Sequence, residues 1–359
     1  MKKIVLTGGG TAGHVTPNLA LLPTLNEDGW KVSYIGSKTG IERGLITEQG
    51  VDYYPISSGK LRRYFDFKNF TDPFRILAGC FQAFGLLGRL KPDIVFSKGG
   101  FVSVPVVLAA RFRKIPVIIH ESDISPGLAN KIAIPSASRV CCNFPETLRY
   151  LPKDKALLTG SPIRRELLTG DKATGLSIAG FPDDKPVIMV IGGSTGAKNI
   201  NNAVREALPT LLRDYRVIHL CGAGMLDDSL NETPGYVQYE YVKEDLRHLF
   251  AAADVIISRA GANSIIEILA LQKPHILIPL PLSASRGDQI LNAKSFKKQG
   301  FSYVLHEDDE DKPFGADAII EAVNEVYTHR ETYIEAMKKS PTPDAVKTIY
   351  ELIKEVSGC

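Results

Sequence analysis

Short apolar, β-branched runs alternate with longer mixed segments along the whole chain, and this pattern limits the possible folds more than any other feature. The runs are Lys3–Thr7, Lys31–Ile35, Ile94–Ser97, Val117–His120 and Arg139–Asn143 in the first half, and Val187–Ile191, Arg216–Leu220, Val255–Ser258 and His275–Ile278 in the second. Continuous apolar runs of this kind are typical of strands buried on both faces of a parallel sheet. The sequence therefore predicts an α/β protein with βαβ units in both halves.

The chain is long enough for two domains. Its 359 residues exceed the roughly 100–200 residues of one domain. Leu157–Gly180 is rich in Gly, Pro, Ser and Thr and offers no strand of comparable quality after Leu158. We therefore predict two Rossmann-like domains, residues 1–162 and 163–343, whose parallel sheets face a cleft. Residues 344–359 predict a final helix that could pack against either domain, including the N-terminal one.

Composition excludes several classes of protein. With 43 Lys and Arg against 40 Asp and Glu, the formal net charge of +3 is too mild for a dedicated nucleic-acid binder. The five cysteines show no C-x-x-C spacing, which argues against a disulfide framework or a zinc site and favours a reducing cytoplasm. The first apolar run is too short for a signal peptide, and Ile76–Gly88, the longest apolar stretch, is too short to span a bilayer.

A glycine-rich loop follows the first predicted strand. Gly8, Gly10 and Gly13 fit the pattern G-x-G-x-x-G ahead of a helix predicted at Asn18–Leu25. A nicotinamide-binding domain would also carry an Asp or Glu about 20 residues on, at the end of the second strand, to bind the ribose hydroxyls. That strand ends at residues 34–37 without an acid. The pattern therefore does not predict a dinucleotide site.

A second glycine loop opens the second half of the chain. Val187–Ile191 leads into Gly-Gly-Ser-Thr-Gly-Ala at 192–197, and a helix is predicted from Lys198 or Asn199. Backbone N–H groups at such a turn, backed by the helix dipole, can bind a diphosphate, and the Ser194 hydroxyl can donate one more hydrogen bond. The alternative is that the glycines only permit a tight turn. Because loops at the carboxyl ends of parallel strands converge on one crevice, two such loops favour the binding role.

A third polar cluster follows a predicted strand that ends in Arg259. A short turn leads from there into a helix that carries Glu267 in its expected first turn. In that position the carboxylate could stabilise the helix dipole or accept hydrogen bonds from both hydroxyls of a ribose. Further on, Asp288 and Asn292 share a helix face with Gln289 beside them, which suits recognition of sugar hydroxyls.

Six motifs, in order and over essentially the whole chain, resemble one family: GGGTAGHVTP, HESDISPGLANK, GSPIRREL, GGSTGAKNIN, SRAGANSIIEI and GDQILNA. This is the MurG family, the UDP-N-acetylglucosamine:N-acetylmuramyl-(pentapeptide) pyrophosphoryl-undecaprenol N-acetylglucosaminyltransferases of peptidoglycan synthesis. The resemblance implies the GT-B glycosyltransferase fold, with an N-terminal domain for the lipid-linked acceptor and a C-terminal domain for UDP-GlcNAc. It also implies an inverting transfer of a hexose without a required cofactor or structural metal, although a free divalent cation could assist.

The resemblance further implies which residues bind the donor. Grouped by the part of UDP-GlcNAc that they would contact, they are Thr11, Ala12, Gly13, Gln289 and Asn292 for the sugar, Arg164 and Ser194 for the diphosphate, the backbone of Val242 for uracil, and Ala262, Asn263, Ser264 and Glu267 for the uridine and its ribose. Asp123 and Arg259 complete the predicted donor site. Two positions depart from the family, which usually has Asn in place of Asp123 and commonly Gln or His in place of Asp288. An ionised carboxylate at 123 accepts hydrogen bonds but cannot donate one.

Transfer needs a base for the C4 hydroxyl of the muramyl sugar and hydrogen-bond donors for the departing UDP. A group with a pKa near neutrality is the natural base, and His14, presented by the first glycine loop, is our candidate. Glu121, at the end of a strand, is the rival base. His14 could instead orient the loop or bind the acceptor pyrophosphate. Each preorganised donor to the diphosphate would be worth about 3 kcal/mol in the transition state.

A lipid-linked acceptor requires contact with a membrane surface. Basic residues between positions 60 and 70 alternate with leucine, tyrosine and phenylalanine, and residues 74–88 add further apolar side chains. Such material suits a peripheral contact with anionic lipid. The alternative is an amphipathic helix packed on the N-terminal core. We expect the 60–70 loop and one face of 74–88 to meet the cytoplasmic side of the cell membrane.

Other functions stay open at the level of sequence. A UDP-GlcNAc 2-epimerase would bind the same nucleotide sugar between two Rossmann halves, but it needs no lipid contact. A GT-B transferase with another lipid acceptor would share the donor half, since acceptor identity depends on HESDISPGLANK and SKGGFVSVP in the N-terminal half. A non-catalytic protein that binds the sugar nucleotide is a third alternative.

Overall fold

The computed structural model describes residues 1–59, 68–192, 197–340 and 344–359, which form two units. The first unit comprises the described residues up to Arg164 together with the carboxy-terminal helix, and the second begins at Arg165. The division falls just beyond the predicted boundary, which had assigned Arg164 to the C-terminal domain.

The first unit is an open parallel sheet with helices on both faces. Its elements are β1 (Lys3–Thr7), α1 (Thr16–Glu27), β2 (Lys31–Ser37), α2 (Ile41–Thr47), β3 (Asp52–Ile56), α3 (Lys68–Leu90), β4 (Ile94–Ser97), α4 (Ser103–Phe112), β5 (Val117–Glu121), α5 (Leu128–Ala133), β6 (Arg139–Cys142) and β7 (Ala156–Leu158). Among the described residues, seven parallel strands pair in the order β3-β2-β1-β4-β5-β6-β7. Val5 and Val95 pack in the core on one face of the sheet, and Ile4 and Phe96 in the core on the other. Burial on both faces explains why these strands are apolar at successive positions.

The second unit repeats this architecture. Its elements are α6 (Lys172–Ala179), β8 (Val187–Ile191), α7 (Lys198–Asp214), β9 (Arg216–Leu220), β10 (Tyr236–Tyr239), α8 (Leu246–Ala252), β11 (Val255–Ser258), α9 (Ala262–Ala270), β12 (His275–Leu277), α10 (Asp288–Lys298), β13 (Tyr303–Val304), α11 (Ala316–Thr328) and α12 (Arg330–Lys338). In its described part, six parallel strands pair in the order β10-β9-β8-β11-β12-β13. The carboxyl ends of β8 and β11, neighbours at the centre of the sheet, lead into the second glycine loop and the Arg259 turn.

The last helix, α13 (Ala345–Ser357), belongs to the first unit. Its residues Ile349 and Ile353 are fully buried in the same core cluster as Leu21 and Leu25 of α1. The hydroxyl of Tyr350 donates a hydrogen bond to the carboxylate of Asp28, just beyond the end of α1. The sequence left the partner of this helix open, and the structure assigns it to the N-terminal core.

Helix α3 combines a buried face with an exposed apolar one. Ala83 and Leu87 are buried in the core, whereas Phe74 and Phe81 are 75% and 71% exposed. Part of this segment therefore packs as a core helix and part does not. In the portion of the chain that the structure describes, no helix is both long enough and apolar enough to cross a membrane.

Candidate active site

The first glycine loop is built around a buried carboxylate. Glu42 of α2 is fully buried, and its oxygens accept hydrogen bonds from the backbone N–H groups of Gly10, at 3.3 Å, and Ser37, at 3.0 Å. A Cβ atom at Gly9 would lie 2.6 Å from the same carboxylate, so a larger residue there would have to displace Glu42. The Glu42 carboxylate thus accepts a hydrogen bond from a loop N–H group that, in a dinucleotide-binding loop, would donate to a phosphate. This supports the prediction that the loop is not a dinucleotide site.

His14 lies in a short helical turn, Ala12–His14, between this loop and α1. Its ring nitrogen Nδ1 lies 3.1 Å from the carbonyl oxygen of Lys98. A carbonyl can only accept, so Nδ1 carries the proton and Nε2 holds the lone pair. Burial, together with the charge of Lys98, lowers the pKa of His14 to about 4. The imidazole is therefore neutral at physiological pH and able to accept a proton at Nε2.

Lys98 directly follows β4 and is 1% exposed. Its ammonium donates hydrogen bonds to Nδ1 of His120, at 2.8 Å, and to the hydroxyl of Ser122. Nε2–H of His120 donates in turn to the carbonyl of Gly160 at 2.8 Å. Lys98 was not among the residues predicted for the site. The available signal was a lysine at the carboxyl end of a strand that is buried on both faces.

Glu121, the rival base, ends β5 and is 4% exposed. Its carboxylate accepts hydrogen bonds from the backbone N–H groups of Asp123, at 3.0 Å, and Gly127, at 3.1 Å. A third comes from the side-chain amide of Asn130 at 2.8 Å. These donors order the loop between β5 and α5 and take up most of the hydrogen-bonding capacity of the carboxylate. The geometry therefore favours His14 over Glu121 as the base.

In the second unit, β8 ends at Ile191. A Cβ at Gly192 would lie 2.8 Å from the Cβ of Ala197, so this position requires glycine. Helix α7 begins at Lys198, as predicted. The prediction that the Ser194 hydroxyl binds a diphosphate falls on a residue outside the described ranges.

Arg259 is anchored by an acid that the sequence analysis missed. Its guanidinium lies 2.5 Å from the carboxylate of Glu307 and donates a hydrogen bond to the carbonyl of Ile278 at 3.1 Å. The other carboxylate oxygen of Glu307 accepts from the side-chain amide of Asn199, in the first turn of α7, at 2.8 Å. One carboxylate thus joins Arg259 to the amino end of α7. In sequence Glu307 lies in an acidic run, which is ordinarily solvated.

The position of Glu267 in α9 differs from the prediction. Gly261 precedes the first helical residue, Ala262, so the first turn holds Asn263 and Ser264 while Glu267 falls in the second turn. The interaction of a charge with the helix dipole falls off beyond the first turn. It therefore does not explain why an acid stands at position 267. The role at the ribose stays a prediction.

Helix α10 places its two amides differently. The side-chain oxygen of Gln289 accepts the backbone N–H of Leu280 at 3.1 Å, and Gln289 is half-buried. Asn292 is fully buried, and its amide donates to the carbonyl of Ala260 at 3.1 Å. The amide nitrogen of Asn292 therefore fixes the turn before α9, and its predicted contact with a sugar hydroxyl stays a prediction.

The remaining predicted residues differ in exposure. Thr11 is exposed, Ala262 is buried, and the half-buried ones are Gly13, Asp123, Arg164, Val242, Arg259, Asn263, Ser264 and Glu267. The side chain of Ala12 lies outside what the structure describes. The structure adds Lys98 and Glu42 to the residues at the first glycine loop, and Glu307 to Arg259 and the first turn of α7.

Family models match both units. The model of the glycosyltransferase family 28 N-terminal domain matches residues 4–142, and that of the corresponding C-terminal domain matches residues 187–356. Among solved structures, MurG of Acinetobacter baumannii has a TM-score of 0.78 at 27% identity and covers 99% of this chain and 100% of its own. A glycosyltransferase of kitacinnamycin has a TM-score of 0.72 at 16% identity, over 99% of both chains, and shows the same fold. The chain is a glycosyltransferase of the GT-B class.

Curated relatives narrow the class. Two proteins named UDP-N-acetylglucosamine–N-acetylmuramyl-(pentapeptide) pyrophosphoryl-undecaprenol N-acetylglucosamine transferase are 63% and 61% identical to this chain. They come from Lachnospira eligens, with 99% of this chain and 100% of that protein covered, and from Lachnoclostridium phytofermentans, with 99% of each. The chain belongs to this family, the MurG family of hexosyltransferases in peptidoglycan synthesis. The comparisons give no support to the epimerase alternative.

Proposed function

We propose that this chain transfers GlcNAc from UDP-GlcNAc to the C4 hydroxyl of undecaprenyl-pyrophosphoryl-MurNAc-pentapeptide, with Nε2 of His14 as the base. The transfer is the reaction of the family to which the chain belongs. The observation that carries the assignment of the base is the hydrogen bond from His14 Nδ1–H to the Lys98 carbonyl. It fixes the tautomer that leaves Nε2 free of a proton.

The reaction is a single displacement with inversion. The acceptor hydroxyl gives its proton to Nε2 of His14 while its oxygen forms a bond to the anomeric carbon of GlcNAc. The bond from that carbon to the diphosphate breaks, and UDP leaves with the electron pair. Because the pKa of His14 is lowered to about 4, the imidazole is fully available as a base but a weak one. Proton transfer is then most favourable late in the attack, when the hydroxyl has become acidic.

On the donor side, we propose that Arg164, Ser194 and the amino end of α7 stabilise the negative charge that grows on the departing diphosphate. A helix of this length, Lys198–Asp214, offers unpaired backbone N–H groups and a dipole at its start, both of which favour an anion. Glu267 would bind the ribose hydroxyls, and Gln289 the sugar. With these cationic and amide donors in place, we expect the transfer to need no bound cofactor, although a free divalent cation could assist.

We assign the exposed face of α3 to contact with the cytoplasmic side of the cell membrane. Phe74, Leu77 and Phe81 are 75%, 55% and 71% exposed, which is unusual for large apolar side chains on one helix. The guanidinium of Arg113 lies 3.8 Å from the centre of the Phe84 ring, so a cation borders the same surface. Apolar side chains beside a cation suit an anionic bilayer. Residues 60–67, part of the same prediction, lie outside the described ranges.

One assay tests the proposal against its alternatives. Purified protein is incubated with labelled UDP-GlcNAc, with and without undecaprenyl-pyrophosphoryl-MurNAc-pentapeptide. We expect a labelled disaccharide lipid only when the acceptor is present. UDP-ManNAc formed without acceptor would indicate the epimerase, and transfer only to a different lipid would indicate another acceptor. Binding of UDP-GlcNAc without any turnover would indicate a non-catalytic protein.

A further inference from the structure

A lysine with its charge enclosed in the first unit needs a physical reason. The side chain of Lys98 is almost fully buried, and removing an ammonium from water is costly unless partners compensate. Burial lowers the pKa of Lys98 to about 8, although the carboxylates of Glu121 and Asp123 and the thiol of Cys141 act in the opposite direction. The ammonium is therefore mostly charged at neutral pH, and the carboxylates of Glu121 and Asp123, at and just beyond the end of β5, stabilise that charge.

The ammonium also ties together the segment after β5. It donates to Nδ1 of His120 within the strand and to the hydroxyl of Ser122 just beyond it. His120 completes the chain of hydrogen bonds at the Gly160 carbonyl. The three donors on Glu121 then order the remainder of the loop. The start of this loop thus depends on Lys98 for its position.

The same residue reaches the first glycine loop through its backbone. The carbonyl oxygen of Lys98 accepts the hydrogen bond that fixes the tautomer of His14. The charge of Lys98 lowers the pKa of His14, while Glu42, on the other side of the loop, raises it. Lys98 and Glu42 are the charged groups that act on this imidazole.

We propose that Lys98 is a positioning residue for the transfer reaction, because its carbonyl orients His14 and its ammonium holds the loop after β5 in register with that ring. The proposal rests on the proposed role of His14 as the base. Lys98 does not touch the reacting atoms. Its contribution is to keep the base neutral, in one tautomer and in a fixed relation to the residues at 121–123.

The central variant is Lys98→Met, which retains the length of the side chain and removes its charge. We expect kcat to fall by about tenfold or more, because the loop after β5 loses the ammonium that holds it in a fixed relation to the base. Removal of the nearby positive charge raises the pKa of His14, and the base must be deprotonated to act. The acidic limb of the pH profile therefore moves to higher pH. Lys153→Met, the same change at an exposed position of the same unit, should alter neither quantity.

A direct titration of His14 by NMR of its imidazole gives a readout independent of turnover. It should show an upward shift of the pKa in Lys98→Met and none in Lys153→Met. If the wild-type protein fails to transfer GlcNAc, the proposed function fails, yet this titration still tests the coupling. An unchanged pKa of His14 together with an unchanged pH profile in Lys98→Met would overturn the inference.

A double variant guards against misfolding. Lys98→Met leaves Asp123 and Glu121 without their buried cation, whereas Lys98→Met combined with Asp123→Asn removes one of the unbalanced charges. We expect the double variant to recover thermal stability relative to Lys98→Met while His14 keeps its raised pKa. A double variant with a wild-type pKa of His14 would show that Lys98 acts only on folding, and the positioning role would be wrong.

Discussion

At the scale of single residues, the site depends on polar groups that fix one another rather than on free side chains. His14 is neutral because burial and the charge of Lys98 lower its pKa. Its tautomer is set by the carbonyl of Lys98. Glu42 occupies the first glycine loop with a carboxylate, and Glu307 performs a comparable task for Arg259. Each of these acids holds backbone or side-chain donors in place before any substrate binds.

Replacement of His14 by alanine tests the base. We expect kcat to fall by about 100-fold or more, in line with the usual contribution of general acid–base catalysis. Donor binding, which we assign mainly to residues of the second unit, should stay unchanged. Transfer kinetics combined with calorimetric titration of UDP measures both, and His329→Ala, at an exposed histidine, is the matched control. Near-normal turnover in His14→Ala would remove this residue from the mechanism.

Asn292 gives a second prediction at this scale. Asn292→Ala removes the donor to the Ala260 carbonyl and leaves that buried oxygen without its partner, so the free energy of unfolding should fall by about 1–3 kcal/mol. Chemical denaturation measures the change. Gln299→Ala, at a half-buried amide in the residue after α10, serves as the comparison and should have a smaller effect. An Asn292→Ala protein of wild-type stability with weakened donor binding would instead favour the predicted contact with the sugar.

At the scale of elements, the central strands could be predicted from sequence and the edge strands could not. Every predicted apolar run forms a strand with a neighbour on each side, whereas the strands at the edges of the sheets are β3, β7, β10 and β13. An edge strand is less enclosed, so its sequence need not be apolar throughout: β3 contains Asp52 and Pro55, and β7 is only half-buried. Likewise, α1 begins at Thr16 rather than at the predicted Asn18, since proline is tolerated in the first turn of a helix and Pro17 therefore does not delay its start.

The exposed face of α3 carries a prediction about membranes. Phe81→Glu replaces a ring that is 71% exposed by a negative charge. Loss of one aromatic anchor of about 1.5–3 kcal/mol, with added repulsion from anionic lipid, should weaken binding to vesicles by roughly tenfold or more. Co-sedimentation with vesicles that contain anionic lipid measures the effect. Leu226→Glu, at an exposed leucine of the second unit, should bind vesicles like the wild type. Equal vesicle binding by Phe81→Glu would exclude this face of α3 as the contact.

At the scale of the whole molecule, the two units are built alike, yet the site residues have different origins in the sequence. The repeated βαβ pattern and the first glycine loop are short-range signals, so the fold class and that loop were predictable. Lys98, Glu42 and Glu307 act through contacts with residues far away in sequence, to His120, Gly10 and Arg259. Periodicity and motif spacing do not contain such pairings. The unit against which the last helix packs could not be predicted for the same reason, because its apolar face is compatible with the core of either unit.

Because α13 packs against the first unit, the last helix is part of the N-terminal core. Ile349 is fully buried there, so Ile349→Ala should lower the free energy of unfolding of that unit by about 2–5 kcal/mol. Lys347→Ala, on the exposed face of the same helix, should leave it unchanged. Thermal unfolding followed by UDP binding separates the units: Ile349→Ala should lower the transition of the first unit while the second still binds UDP at moderate temperature. Equal loss of stability in both variants would mean that helix formation, rather than burial of this side chain, anchors the end of the chain.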